Sequence, residues 1–217
     1  MDSDLDLRSA DGTPLAARYW PATARSAGVV IVHGLRSCKE NHTDFARVCR
    51  RAGLAALTLD LRGHGASGGE LGPGAIDDVI AAAEALRARG HARVGLRGSS
   101  LGGFLVLLAA ARSRRVACVV AICPARPEVL AERLGAEWPT QYPLTDAVAT
   151  PDGIARGYWH ATGDAQVPWA ATWALAQAQA TPQPRHLRIV HGGSHSSLQH
   201  TPAIQGETCD FLGRYLA

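Results

Sequence analysis

The feature that most constrains this chain is a run of five residues, Gly28-Val29-Val30-Ile31-Val32, that contains no polar side chain. Successive side chains of a strand point to opposite faces, so a β-branched run that is apolar at every position is a strand covered on both sides. Such strands belong to parallel sheets flanked by helices. Residues 54–59, 93–96, 116–122, 158–162 and 187–190 are further candidate strands, and helix-forming stretches lie at 41–52, 74–89, 101–111, 168–180 and 202–216. Ahead of these, 5–8 and 15–20 read as a hairpin, because Asp11-Gly12 supplies a residue at ease at positive φ. The alternation predicts an α/β fold with a mostly parallel eight-stranded sheet and helices on both faces.

One stretch departs from the alternation. Residues 126–156 carry Pro127, Pro139, Pro143 and Pro151, eight charged residues, and Trp138 and Tyr142. This is too long for an ordinary connection and reads as a small insertion at the sheet's edge, within a single domain over 1–217. Proline in a helix interior breaks the helix, so the insertion is expected to lack a long helix with a broad apolar face.

Composition narrows the function classes. With 47% apolar and 19% charged residues in 217, the chain buries roughly 70% of its unfolded surface and needs no disulfide or metal to fold. A net charge of +3, with scattered arginines and the single Lys39, gives no stripe for phosphates, so a nucleic-acid partner is not expected. No apolar window is long enough for a membrane span, and the acidic Met1-Asp2-Ser3-Asp4 start does not resemble a signal peptide. The five cysteines, odd in number and without a C-x-x-C pair, read as reduced thiols of a cytoplasmic protein.

The chemistry-bearing residues follow the candidate strands. Gly98-Ser99-Ser100-Leu101-Gly102 fits G-x-S-x-G, a sharp strand-to-helix turn that exposes the central hydroxyl; the small flanking residues leave room for the turn. A serine hydroxyl needs a base, and the base an orienting acid. His191 and His195 both follow the last strand; His195, further out on its loop, has the freer reach. Asp164 follows the strand at 158–162, with Asp146 and Asp152 as weaker alternatives. The order Ser, Asp, His is the one expected of this fold. Backbone N–H groups of Leu101 and Leu35 are the candidate donors to an oxyanion. A metal role for His191, His195 and His200 lacks accompanying carboxylates or cysteines, so neither a metal nor an organic cofactor is expected.

Taken together, His33-Gly34, Asp60-Leu61-Arg62-Gly63-His64-Gly65, Gly98 to Gly102, Gly163-Asp164 with Val167-Pro168, and Gly193-Ser194-His195 resemble the α/β-hydrolase superfamily over nearly the whole chain. Within it, the chain is most similar to compact serine hydrolases of the dienelactone-hydrolase-like and serine-aminopeptidase-like groups. The former typically carry cysteine where this chain has Ser100. The resemblance implies Ser100 as nucleophile, His195 as base, Asp164 as orienting acid, and 126–156 in the position of a short cap. It thereby implies hydrolysis of small-molecule carboxylic esters or thioesters through an acyl-enzyme. Enzymes of the fold that use aspartate as nucleophile, the dehalogenases and epoxide hydrolases, fit less well. The alternatives are hydrolysis of a peptide or C–C bond, perhydrolase chemistry, or a non-catalytic binding protein on the same fold. Leu35 and Leu101, with Trp138, Tyr142 or Trp169, are expected to line a partly open site for short acyl groups. Activity is expected to rise with pH as the base loses its proton.

Overall fold

A computed structural model describes residues 2–22, 26–150, 152–180 and 184–217. Its strands are β1 (Ser3–Arg8), β2 (Pro14–Trp20), β3 (Ala27–Val32), β4 (Ala55–Leu59), β5 (Arg93–Ser99), β6 (Cys118–Ile122), β7 (Ala155–Ala161) and β8 (Arg185–Val190). They form one eight-stranded sheet in the order β1-β2-β4-β3-β5-β6-β7-β8. The pairings of β2 with β1 and with β4 are antiparallel, and every other pairing is parallel.

The helices are α1 (Thr43–Arg51), α2 (Ala75–Ala88), α3 (Leu101–Ser113), α4 (Pro127–Leu134), α5 (Leu144–Ala149), α6 (Trp169–Ala178) and α7 (Pro202–Leu216). Strand β3 shows why its sequence tolerates no polar side chain. Val30 and Val32 enter a core shared with α2 and α3, while Val29 and Ile31 enter a second core shared with α1 and α7. Helix α3 is buried at every residue from 101 to 110, the condition of a helix apolar on all sides. It lies on β5 and β6 between α2 and α5.

One expectation needs correction. Strand β5 runs to Ser99, three residues beyond the expected end, because Gly98 and Ser99 still pair with Ala121 and Ile122 of β6. Residues 126–156 hold two short helices, α4 and α5, before β7 begins at Ala155. Pro127 is the first residue of α4, and Pro143 immediately precedes α5. Pro139 lies in a 3-10 turn, Trp138–Gln141, and Pro151 is outside the described residues. The missing proline N–H costs nothing at a helix start, where it would have no intrahelical acceptor, so these prolines begin helices. Leu130, Leu144 and Val148 of the insertion join the core beside α3.

Candidate active site

The chain leaves β3 for β4 on one side and returns to β5 on the other, which opens a crevice at the carboxyl ends of these strands. Ser100 sits there, between β5 and α3, at φ 53° and ψ −118°. A non-glycine residue in that region stores about 1–3 kcal/mol of strain and persists only when its surroundings fix it. Here three backbone hydrogen bonds do so. Ser100 N–H donates to the Ile122 carbonyl at 3.0 Å, and the Ser100 carbonyl accepts from Phe104 and Ala125 N–H, each at 3.0 Å. The flanking glycines are a steric requirement: a Cβ on Gly98 would overlap the Gly102 carbonyl, and one on Gly102 would overlap that of Val32.

The turn after β3 lies against this elbow. A Cβ on Gly34 would come to 3.3 Å from the Ser100 Cβ. The buried His33 sets the turn: its Nε2 accepts from Leu61 N–H at 3.1 Å and its Nδ1–H donates to the Gly34 carbonyl at 2.7 Å. Burial pulls its pKa down to about 4, so the ring is neutral. Among the described residues, the N–H groups of Leu35 and Leu101 donate to no protein acceptor; that of Leu101 belongs to the first helical residue of α3. The Asp60 to Gly65 turn is braced beside them. Asp60 accepts from Lys39 Nζ and N–H, each at 2.7 Å, and from Ala66 N–H at 3.0 Å.

Two further loops bring an acid and an imidazole to the same edge. Asp164, after β7, accepts from Gln166 and Val167 N–H at 2.8 and 2.9 Å through Oδ1. Its Oδ2 lies 2.6 Å from Nδ1 of His195. Burial works to raise this carboxyl, but hydrogen bonds from His160 and His195, and then from Val167 and Gln166, outweigh it and hold the group well below the carboxylate range. An ionised carboxylate only accepts, so Nδ1 of His195 carries the hydrogen and Nε2 is the ring nitrogen left for a further partner. That Nε2 is buried without a partner, and His195 and Ser100 line the same cavity. The Asp164–His195 half of the expected relay is thus hydrogen-bonded, whereas none joins His195 to Ser100. Hydrogen bonds of this kind commonly tighten only with substrate bound.

The other candidates lie elsewhere. His191 is exposed and 3.4 Å from Thr162 Oγ1. Asp152 pairs with the buried Arg156, and Asp146 lies on α5 with Thr145 Oγ1 at 3.4 Å. His200 bonds Asp44 at 2.8 Å, so the three histidines weighed as metal ligands have separate partners. Among the described residues one other ligand-type cluster occurs, Cys123 with Asp164 and His195 within 4.8 Å. The carboxylate and imidazole there are joined to each other, and burial pushes the Cys123 thiol up to about 12, leaving it protonated and a poor ligand.

The aromatic residues expected at the site are not brought to it. Trp138 packs on Phe104 and Tyr142, with ring centroids 6.1 and 6.4 Å apart, as part of the insertion's apolar base. Trp169 stands 41% exposed on the first turn of α6, outside the cavity lining. Leu35 does line the cavity of about 910 Å³, and Leu101 is buried beneath it.

One residue was missed. His160, fully buried in β7, places Nε2 3.1 Å from Asp164 Oδ2 and 2.9 Å from the Val167 carbonyl. Both neighbours are acceptors, so Nε2 carries a hydrogen, and Nδ1 accepts from Thr172 Oγ1 at 2.7 Å. Two histidines therefore converge on one oxygen of Asp164, Oδ2, while Oδ1 takes the two backbone N–H groups. A polar side chain inside an apolar strand, four residues before the acid, was the available signal.

The sheet order, the elbow and the positions of the acid and histidine loops define an α/β hydrolase. A family model described as serine aminopeptidase, S33, matches residues 23–139, and the chain belongs to that family. The matched stretch includes the Ser100 elbow and ends before Asp164 and His195. Among curated relatives, the chain is 33% identical over 123 residues to an uncharacterized 31.7 kDa protein in the traX-finO intergenic region of Escherichia coli, covering 53% of this chain and 43% of that one. It is 29% identical over 131 residues to the thiohydrolase aneE of Aspergillus aculeatus, covering 56% and 41%. The matched stretch spans less than half the length of these two relatives. Among solved structures, an esterase of Pyrococcus furiosus superposes with a TM-score of 0.85 at 17% identity, covering all of this chain and 92% of the other, a likeness of fold. No helix among the described residues is long and apolar enough to cross a membrane.

Proposed function

We propose that the protein is a serine hydrolase that cleaves carboxylic esters or thioesters of small or short-chain acyl groups. The observation that carries this reading is the Asp164-bound imidazole of His195, which lines the same cavity as Ser100 on its strained turn and whose Nε2 has no partner. Ser100 Oγ attacks the carbonyl carbon while Nε2 takes its proton, and the oxyanion accepts from the N–H groups of Leu35 and Leu101. The alcohol or thiol departs with the proton from His195, leaving an acyl-enzyme. Water, activated by the same imidazole, then releases the acid. A relative named as a thiohydrolase and a neighbour named as an esterase support this bond class.

The test is labelling by a neutral fluorophosphonate, combined with a panel of p-nitrophenyl esters and thioesters from acetyl to palmitoyl. Wild type and Ser99→Ala should label and turn over, Ser100→Ala should do neither, and kcat/KM should stop rising at short chains. An unlabelled wild type, or a labelled Ser100→Ala, overturns the reading; an optimum at twelve carbons or more overturns its substrate range.

A further inference from the structure

The cavity above Ser100 is lined by Arg36 and Arg133 and by no aspartate or glutamate. Its one apolar side chain is Leu35, and the remainder is serine, asparagine, glutamine, histidine and backbone. This is a poor wall for an alkyl chain, since each buried methylene needs apolar surface against it to gain its usual stabilisation.

The two arginines come from different segments. Arg133 lies in the last turn of α4, within the insertion, and reaches across the mouth to donate to Gln166 Oε1 at 2.7 Å. The N–H of Gln166 is itself held by Asp164 Oδ1 at 2.8 Å. A neutral amide therefore positions the guanidinium beside the acid's loop without cancelling its charge, and leaves most of its five N–H donors unused. Arg36 follows Leu35 at φ 62°, its N–H held by Nε2 of His64 at 3.2 Å. Glycine would hold that conformation without strain, so a cationic side chain at the mouth is a feature of the sequence that the turn itself does not require. Among the described residues neither arginine has a carboxylate partner. Cations of one sign around a cleft raise the local concentration of anions.

Resting on the serine-hydrolase reading, we infer that the substrate carries an anionic group, a carboxylate or a phosphate, beside the scissile ester or thioester, recognised by Arg36 and Arg133. The anion can reside on the acyl side or on the leaving group, and matched substrates separate these. The acyl arm compares p-nitrophenyl hydrogen glutarate with p-nitrophenyl valerate. The leaving-group arm compares 3-carboxy-4-nitrophenyl butyrate with p-nitrophenyl butyrate.

In at least one arm kcat/KM for the anionic member should exceed that of its neutral partner by about tenfold, the effect of one charged hydrogen bond. The ratio should shrink at high salt, fall toward one in Arg36→Gln combined with Arg133→Gln, and stay unchanged in Arg47→Gln, which removes an exposed charge on α1. If wild type takes up the neutral fluorophosphonate yet prefers the neutral ester in both arms, or the double variant keeps the wild-type ratio, the anion inference fails alone. If wild type is not labelled and cleaves none of the four esters, the underlying reading fails with it.

Discussion

The Ser100 elbow and the loop that carries His195 are held by different means. Ser100 is fixed by backbone alone: three main-chain hydrogen bonds, glycines that no larger residue can replace, and a helix buried along its first ten residues. The stretch 191–200 is largely exposed and depends on side chains reached from far along the chain. Asp164 holds His195, and the buried Arg97 donates to the Gln199 carbonyl at 2.9 Å while stacking on the Phe45 ring at 3.8 Å. The elbow is thus held mainly by main chain and steric fit, the imidazole loop by side chains that reach it from other segments.

The comparison can be broken most sharply at Ser100. Ser100→Ala should lower kcat by about a million-fold with Tm unchanged, since the elbow is held by main chain; a large fall in Tm would show that the hydroxyl helps to hold the turn. Next, Asp164→Asn should cost about ten-thousandfold in kcat, because an amide can present its NH₂ to His195 and favour the wrong tautomer. A loss below about tenfold would mean that another group orients His195.

A third test weighs the support of each region against acid. Burial draws the pKa of His33, under the elbow, down to about 4 and that of His42 down to about 3, whereas an unfolded imidazole titrates near 6.5. The unfolded chain binds protons that the native chain refuses, so stability present above about pH 6.5 is lost as pH falls toward 4, up to about 3 kcal/mol from His33 alone. Urea midpoints measured between pH 7.5 and 4.5 should fall accordingly, and His33→Gln should flatten the slope. The smallest expected effect is on the imidazole side. His160→Leu should lower kcat about tenfold and shift the acid limb of the pH profile, while His160→Asn, which keeps a donor, recovers part of the loss. An unchanged profile in both variants would reduce His160 to packing.

The same contrast explains what could be read in advance. The strands were legible because a sheet covered on both faces demands continuous apolar runs, and the elbow because its steric rule is written within five residues. The pairing of Asp164 with His195 was legible only as order along the chain. Choosing between His191 and His195 depends on where one exposed loop passes a second loop about thirty residues earlier. His160 stands out locally only as a polar side chain inside an apolar strand; its contact with Asp164 is made by the fold. The short helices of the insertion were not legible for a physical reason: proline is a breaker inside a helix and a good starter at its first position, and sequence alone does not show which position is occupied. Trp138 and Tyr142 were assigned to the substrate for lack of any view of Phe104, the ring on which Trp138 packs.

The burial of α3 bears on how the protein fails. Amides in its middle turns should exchange with solvent only when the whole domain opens, and those of the exposed residues around His195 through local fluctuations that leave the sheet intact. Because the imidazole rides on the softer segment, mild denaturant should displace it while Ser100 still stands on its helix. Catalytic competence then ends at a lower urea concentration than tryptophan fluorescence registers, so a shelf-life judged by residual turnover reports on one loop and not on the fold.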